Sequence, residues 1–263
     1  MTRKVEARRR QSVPDGVGPP GTVDIDWVPE AAAVVICDMW DAHHCRSAAA
    51  RVVEMAPRMN DVVSGLRGRG TFIIHAPSGC TDFYGGTPER VRAIEAPPEP
   101  APAKIDWNDW DPEREPDPGP AFSDPGPCSC RSAEPCCEPG PPYPWTRQIA
   151  SIHIAPEDAV SDNGHEVYNL LRQRRIRDVL VMGVHTNLCV LGRPFGIRQL
   201  VYLGLNPLLC RDLTDAFHRH PAGHVFGTEL AVAHIETYWC PSVTSDQLVG
   251  GRAFQFSSSV AEA

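Results

Sequence analysis

An alternation of strand-length apolar runs with helically spaced stretches constrains this 263-residue chain more than any other feature. The run AAAVVICDM at 31–39 is apolar until Asp38, as a parallel strand buried on both faces is when it delivers a polar residue at its carboxyl end. Ala50, Val53, Met55, Met59 and Val63 then share a helix face that stops at the glycines of RGRG, and TFIIHAP at 71–77 reads as a second strand. Strand, helix and strand with short links make a βαβ unit, and therefore a parallel sheet. Strands are expected again at ASIHI (150–154), DVLVMGV (178–184), PLLCRDLT (207–214) and SVTS (242–245). Helices are expected over 164–174, from Cys189 through Gly204, and over 227–238. The expected fold is a three-layer αβα sandwich around a six-stranded, mostly parallel sheet.

Two stretches fall outside this alternation. Residues 1–23 hold Arg-rich and Pro/Gly-rich text (RRRQSVPDGVGPPG) with no apolar period, which predicts a flexible arm before a domain over 24–263. Between Pro97 and Pro144 prolines and acids dominate, so 97–147 reads as an insertion or lid on the domain. A hydrophobic content of 42% suits one large core. The net charge of −8 argues against a nucleic-acid groove or an anionic membrane surface and favours a small-molecule substrate. No run approaches the length of a membrane span and no apolar stretch follows the basic start, so a soluble, cytoplasmic protein is expected.

The chemistry concentrates at GVHTNLCV, residues 183–190. A buried strand enters a tight turn and then a helix whose first turn holds Cys189, at the carboxyl edge of the sheet where α/β folds bind ligands. The N–H groups and partial positive charge of a helix start favour thiolate over thiol, and the same N–H groups suit an oxyanion. A free cysteine is ordinarily a small buried hydrophobe. The turn, the helix start and the polar lead-in HTN favour a nucleophile at this one.

GVHTNLCV, with an Asp closing the first strand (VVICDM), RDLTDA after the Cys helix and HVFGTELAVAHI near the end, resembles the isochorismatase-like superfamily of hydrolases. The resemblance spans most of residues 30–250 and implies an isochorismatase-like fold. It also implies a site in which an Asp, a Lys and a Cys act together behind a cis peptide that shapes the oxyanion hole. Carried over by position, Asp38 is the acid/base, Cys189 the nucleophile, and Val184–His185 the cis bond, with the hole formed around Val184, His185 and Cys189. The family's lysine belongs at the end of the third strand, near ASIHIAPEDAVSD, where this chain has none. Lys104, in the insertion, or Arg147 is the candidate replacement. Within the superfamily a cysteine nucleophile favours the amidase, nicotinamidase-related branch, which cleaves a carbon–nitrogen bond through a thioester. The competing reading is a binding or scaffold protein that kept the fold after losing its lysine; the resemblance also implies a homo-oligomer, since these are common in the family.

Other residues are candidates with weaker claims. Trp40 and His75 lie where they can line the pocket, with Trp107, Trp110 and Trp145 as further aromatic walls, although tryptophan in a core or lid reads the same way. No cofactor is required for the core mechanism. In DMWDAHHC, Asp41 with one of His43 and His44 suits a divalent metal such as zinc, against the alternative of a polar helix start; the spacing differs from that of the nicotinamidases. Cys128, Cys130, Cys136 and Cys137 crowd the insertion and are candidates for a structural zinc, for disulfides or for free thiols.

Overall fold

Successive residues of one strand face opposite layers. Ala33, Val35 and Cys37 join one buried apolar cluster, and Ala32, Val34 and Ile36 join another. This period of two, in a strand with no polar face, requires cover on both sides. The computed structural model describes residues 2–13, 16–116, 122, 128–129, 143–218 and 224–257. Its strands are β1 (Arg3–Val13), β2 (Gly16–Trp27), β3 (Ala32–Cys37), β4 (Phe72–Ala76), β5 (Ala159–Val160), β6 (Asp178–Val184), β7 (Asn206–Asp215) and β8 (Ser242–Val243). The helices are α1 (Arg46–Arg67), α2 (Pro88–Ile94), α3 (Gly164–Gln173), α4 (Cys189–Gly192), α5 (Ile197–Tyr202), α6 (His224–Tyr238) and α7 (Ser245–Val249).

The sheet has eight strands in the order β2-β1-β8-β7-β6-β3-β4-β5. From β8 to β5 all six are parallel, as expected. The other two form an antiparallel hairpin that pairs with β8 at Arg8, so the sheet is mixed and the N-terminal stretch is not a flexible arm. Val5, Ala7 and Trp27 are buried in the core, and two arginines of the text that suggested disorder pair with one acid of α6. Arg8 Nε donates to Glu236 Oε1 at 2.6 Å and Arg10 Nε to Oε2 at 3.0 Å. The third parallel strand is also displaced from ASIHI to Ala159–Val160: Ile152 is buried, but in a turn.

One face is covered by α1, whose Val52, Met55, Ala56, Met59, Val62, Val63 and Leu66 repeat at the three- and four-residue spacing of one helix face. Each Val, Leu or Met among them contributes about 1.5–3 kcal/mol on burial, so Met59→Asp would undo the layer. The opposite face carries Val167, Leu171, Val190, Leu200, Val232 and Ile235 from α3, α4, α5 and α6. Pro194 follows α4, so the helix expected to run through Gly204 is two short helices.

After β3 the chain builds outward through β4 and β5, then returns to β3's other side and continues through β6, β7 and β8. The strand order therefore reverses between β3 and β6, and parallel sheets bind ligands at the carboxyl ends of the strands flanking such a reversal. Gly183 permits the close approach there. It has φ +114°, and a Cβ would stand 2.0 Å from the Cys37 carbonyl oxygen.

Candidate active site

Asp38 and Cys189 arrive at this reversal from its two sides. Asp38 follows β3 in a left-handed backbone conformation, φ +50°, which aspartate tolerates better than most residues and which recurs at functional positions. Its N–H donates to the Ala76 carbonyl at 3.1 Å. Its fully buried carboxylate accepts at Oδ1 from the Ser78 N–H, 2.8 Å, and at Oδ2 from Arg193 Nε, 3.3 Å. Cys189 opens α4 and is 8% exposed; its thiol lies close enough to the Asp38 carboxylate and the Arg193 guanidinium for both to act on its ionisation. The Val184–His185 peptide is cis. Among the described residues, neither the His185 nor the Cys189 N–H donates to a backbone carbonyl.

Arg193 is the cation at this site, and the sequence reading missed it. The residue stands four positions after Cys189, one helical turn on, where its N–H donates to the Cys189 carbonyl at 3.0 Å. Its guanidinium lies between Asp38 and the Trp107 ring, 5.3 Å from the ring centroid. The text CVLGR carried the signal, since residues four apart on a helix are neighbours. Lys104 is elsewhere: its side chain is 83% exposed and pairs with Asp106 at 2.5 Å. Arg147 is also elsewhere, 3.8 Å from Asp41 and over the Phe83 ring. The end of the third parallel strand holds Ser161, bonded to Glu166 at 2.5 Å.

The electrostatics correct the expectation of a depressed thiol pKa. Burial pushes the Cys189 thiol up, the Asp38 carboxylate beside it adds to the rise, and Arg193 only partly opposes them. Burial also raises Asp38, against the stabilising effects of Arg193, Ser78 and Cys189. For Arg193, burial disfavours the charge but the neighbouring Cys189 and Asp38 outweigh it, so its pKa rises further. Burial therefore opposes ionisation of both Cys189 and Asp38, and the Arg193 cation beside them opposes that effect.

The remaining candidates separate into those near this triad and those turned away. Trp40, two residues after Asp38, is buried, donates its indole N–H to the Ser78 carbonyl at 3.1 Å and stacks on Trp145 with ring centroids 3.9 Å apart. His75 does not line a pocket. It is fully buried, with Nδ1 2.9 Å from Gln148 Oε1 and Nε2 3.1 Å from Asp158 Oδ2, because its strand position points it into the sheet's flank. Asp41 does not suit a metal site with His44, since its oxygens accept from the Thr146 N–H and hydroxyl and the Arg147 N–H. His44 packs its ring on His43 at 4.2 Å, and burial lowers its pKa. Among the described residues no three His, Cys, Asp or Glu side chains group as metal ligands. Cys128 is buried in a small cluster with Cys45, Ala48 and Phe217. Cys130, Cys136 and Cys137 lie outside the described residues.

The described start of the insertion docks beside α4 and α5, next to Cys189. The Asn108 N–H donates to the Gly192 carbonyl at 2.8 Å, Gln199 bonds Asp106, Asn108 and Lys104 O, and Arg198 Nη1 donates to Asn108 O at 3.0 Å. Glu115 anchors it, fully buried, accepting at Oε2 from His234 (2.6 Å) and the Trp239 indole (2.7 Å) and pairing through Oε1 with Arg198. Trp107 is thereby held beside Arg193, and Trp110 remains half exposed on the surface.

No protein-family model matches the chain, and no curated protein matches its sequence. Solved structures do match its shape. A cysteine hydrolase from Pseudomonas syringae pv. phaseolicola 1448A aligns over 86% of this chain and 94% of its own, at 14% identity and a TM-score of 0.51. An isochorismatase from Pseudomonas putida KT2440 aligns over 85% and 92%, at 12% identity and a TM-score of 0.51. No helix among the described residues is long and apolar enough to cross a membrane. The parallel strands, their reversal between β3 and β6 and these likenesses together give the chain the isochorismatase-like fold.

Proposed function

We propose that the protein is a cysteine hydrolase that cleaves a carbon–nitrogen bond of a small amide. The observation that carries this reading is the meeting of Asp38, Cys189 and Arg193 side chains at the sheet's reversal. As the Cys189 sulfur attacks the amide carbonyl, Asp38 takes the thiol proton, and the N–H groups of His185 and Cys189 receive the developing oxyanion. Asp38 returns the proton to the leaving nitrogen, the amine departs, and water then hydrolyses the thioester. Arg193 supplies the fixed positive charge that favours both the Asp38 carboxylate and the sulfur as it becomes anionic. Its presence answers the main objection from the missing lysine and weighs against the scaffold reading.

A panel of small amides, carbamates and nicotinamide tests the proposal, with Cys189→Ala as control. Turnover that disappears with Cys189→Ala, together with an acyl adduct on Cys189, is expected. Hydrolysis that persists in Cys189→Ala refutes the mechanism, and the absence of both turnover and adduct across the panel favours the scaffold.

A further inference from the structure

The His185 N–H belongs to the Val184–His185 peptide, in the turn between β6 and α4, and its direction is set by the peptides on either side. On one side the Gly183 carbonyl accepts from the Thr214 hydroxyl at 2.7 Å. On the other the Thr186 N–H donates to the Asp215 carbonyl at 3.0 Å. The Thr186 and Thr214 hydroxyls also lie 2.7 Å apart; with its hydrogen committed to Gly183, the Thr214 oxygen accepts there and Thr186 donates. Both threonines are buried. The His185 carbonyl accepts in turn from the Leu188 and Val190 N–H groups, at 3.0 and 3.1 Å, which ties the start of α4, and with it the Cys189 N–H, to the same turn. Thr214 stands where the sheet ladder is broken. From Asp178 to Val181 β6 pairs with β7 in step, but Gly183 faces Thr214 where that register would bring Arg211. A valine would fill the same space and leave the Gly183 carbonyl without this donor.

We infer that Thr214 is a positioning residue for the oxyanion hole: its hydroxyl, joined to Gly183 and Thr186, sets the direction in which the His185 N–H meets the oxyanion formed at Cys189. The inference rests on the cysteine hydrolase reading. Thr214 acts through the backbone from Gly183 to Thr186 and not on the reacting atoms. Its effect falls on both halves of the reaction alike, because a tetrahedral oxyanion forms when sulfur attacks the amide carbonyl and again when water attacks the thioester. Reactions of Cys189 that build no oxyanion lie outside its reach. This separates a role in the hole from a role in holding the fold or the thiol, which would affect every reaction of the sulfur.

Two reagents make the distinction. p-Nitrophenyl acetate is attacked at its carbonyl and passes through an oxyanion, whereas iodoacetamide loses iodide from a saturated carbon and forms none. Thr214→Val should lower kcat for the ester by about 10- to 100-fold, the range for a displaced oxyanion donor. KM should stay within about threefold, since both half-reactions slow together, and the alkylation rate at Cys189 within about twofold. Thr214→Ala, which removes the hydroxyl without setting a methyl against the Gly183 carbonyl, should show the same pattern if the valine variant fails to fold. Thr214→Ser, which keeps the hydroxyl, should restore most of kcat. A kcat within about twofold of wild type in both hydroxyl-free variants overturns the role of Thr214. An alkylation rate that falls as far as kcat does so too, because the loss then lies in the fold or the thiol; either result leaves the hydrolase reading intact. Ester hydrolysis that survives Cys189→Ala, or its absence in the wild type, overturns that reading and the role of Thr214 with it.

Discussion

Removing the charge of Arg193 should move the acid limb of the activity profile upward by about 1.5–2 pH units. Arg193 Nε stands 3.3 Å from Asp38 Oδ2, with Asp38 fully buried and the arginine side chain 29% exposed. At an effective dielectric constant of about 20, unit charges at that separation attract by about 5 kcal/mol. Solvent contact at the arginine screens about half of this, leaving about 2–3 kcal/mol. Since one pKa unit corresponds to about 1.4 kcal/mol, Arg193→Ala adds about 1.5–2 units to the rise that burial already imposes on Asp38. The same substitution removes the cation that favours the thiolate, so the plateau should fall by about tenfold or more. Arg193→Lys keeps the charge on a more flexible stem and should restore the limb more fully than the plateau. The assay is kcat/KM against pH on any hydrolysed amide, paired with the pH dependence of iodoacetamide labelling at Cys189, which needs no substrate. Superimposable wild-type and Arg193→Ala profiles would refute the electrostatic coupling.

Lys104→Ala should leave turnover within about twofold of wild type, because an exposed lysine paired with Asp106 touches nothing in the triad; a loss of orders of magnitude would bring that lysine back into the mechanism. Glu115→Ala should destabilise the fold by about 3–5 kcal/mol in urea titrations, since it strands Arg198 and leaves the His234 and Trp239 N–H groups without their acceptor; a change below about 1 kcal/mol would show that the insertion is not anchored there. Because burial raises the Asp38 pKa, the folded state holds that proton more tightly than the unfolded chain does. Its contribution to stability is therefore present at low pH and lost as pH rises through the raised value. Asp38→Asn should abolish turnover and flatten that decline, and a decline that survives the substitution belongs to other groups.

The strands legible in the sequence are those buried on both faces. β3, β4, β6 and β7 announce themselves as apolar runs because neither side of the sheet meets water. β1 and β2 do not, because most of their residues face solvent and what joins the hairpin to the rest of the sheet is far away in sequence. Of the hairpin, Val5, Ala7 and Trp27 are buried in the core with Ile25 packed against it, and Arg8 and Arg10 look like a solvated run until Glu236, more than two hundred residues later, comes to meet them. β5 is two residues long and carries no period at all. In the site, Asp38 and Cys189 were readable because each ends or follows an apolar strand. Arg193 was readable in principle from its spacing to Cys189. The family resemblance directed attention instead to the end of the third strand, where Ser161 stands. Asp41 and His75 misled because residue type and strand end suggest chemistry, while the Thr146 hydroxyl and the Asp158 carboxylate that claim them come from distant segments.

An arginine in place of a lysine changes the proton traffic the site can support. A buried lysine can lose its proton near neutrality and share acid/base work, whereas a guanidinium, here pushed further up by its anionic neighbours, keeps its charge throughout. All proton transfers in the proposed cycle therefore fall to Asp38. That carboxylate is held by opposing influences: burial makes it a better acid carrier, and Arg193, Ser78 and Cys189 keep it ionised enough to act as a base. Burial and the neighbouring carboxylate both push the thiol's pKa up, against Arg193. An upward-shifted thiol favours attack coupled to proton transfer to Asp38, and the geometry that matters most is the hold on that one carboxylate by the guanidinium and the Ser78 N–H.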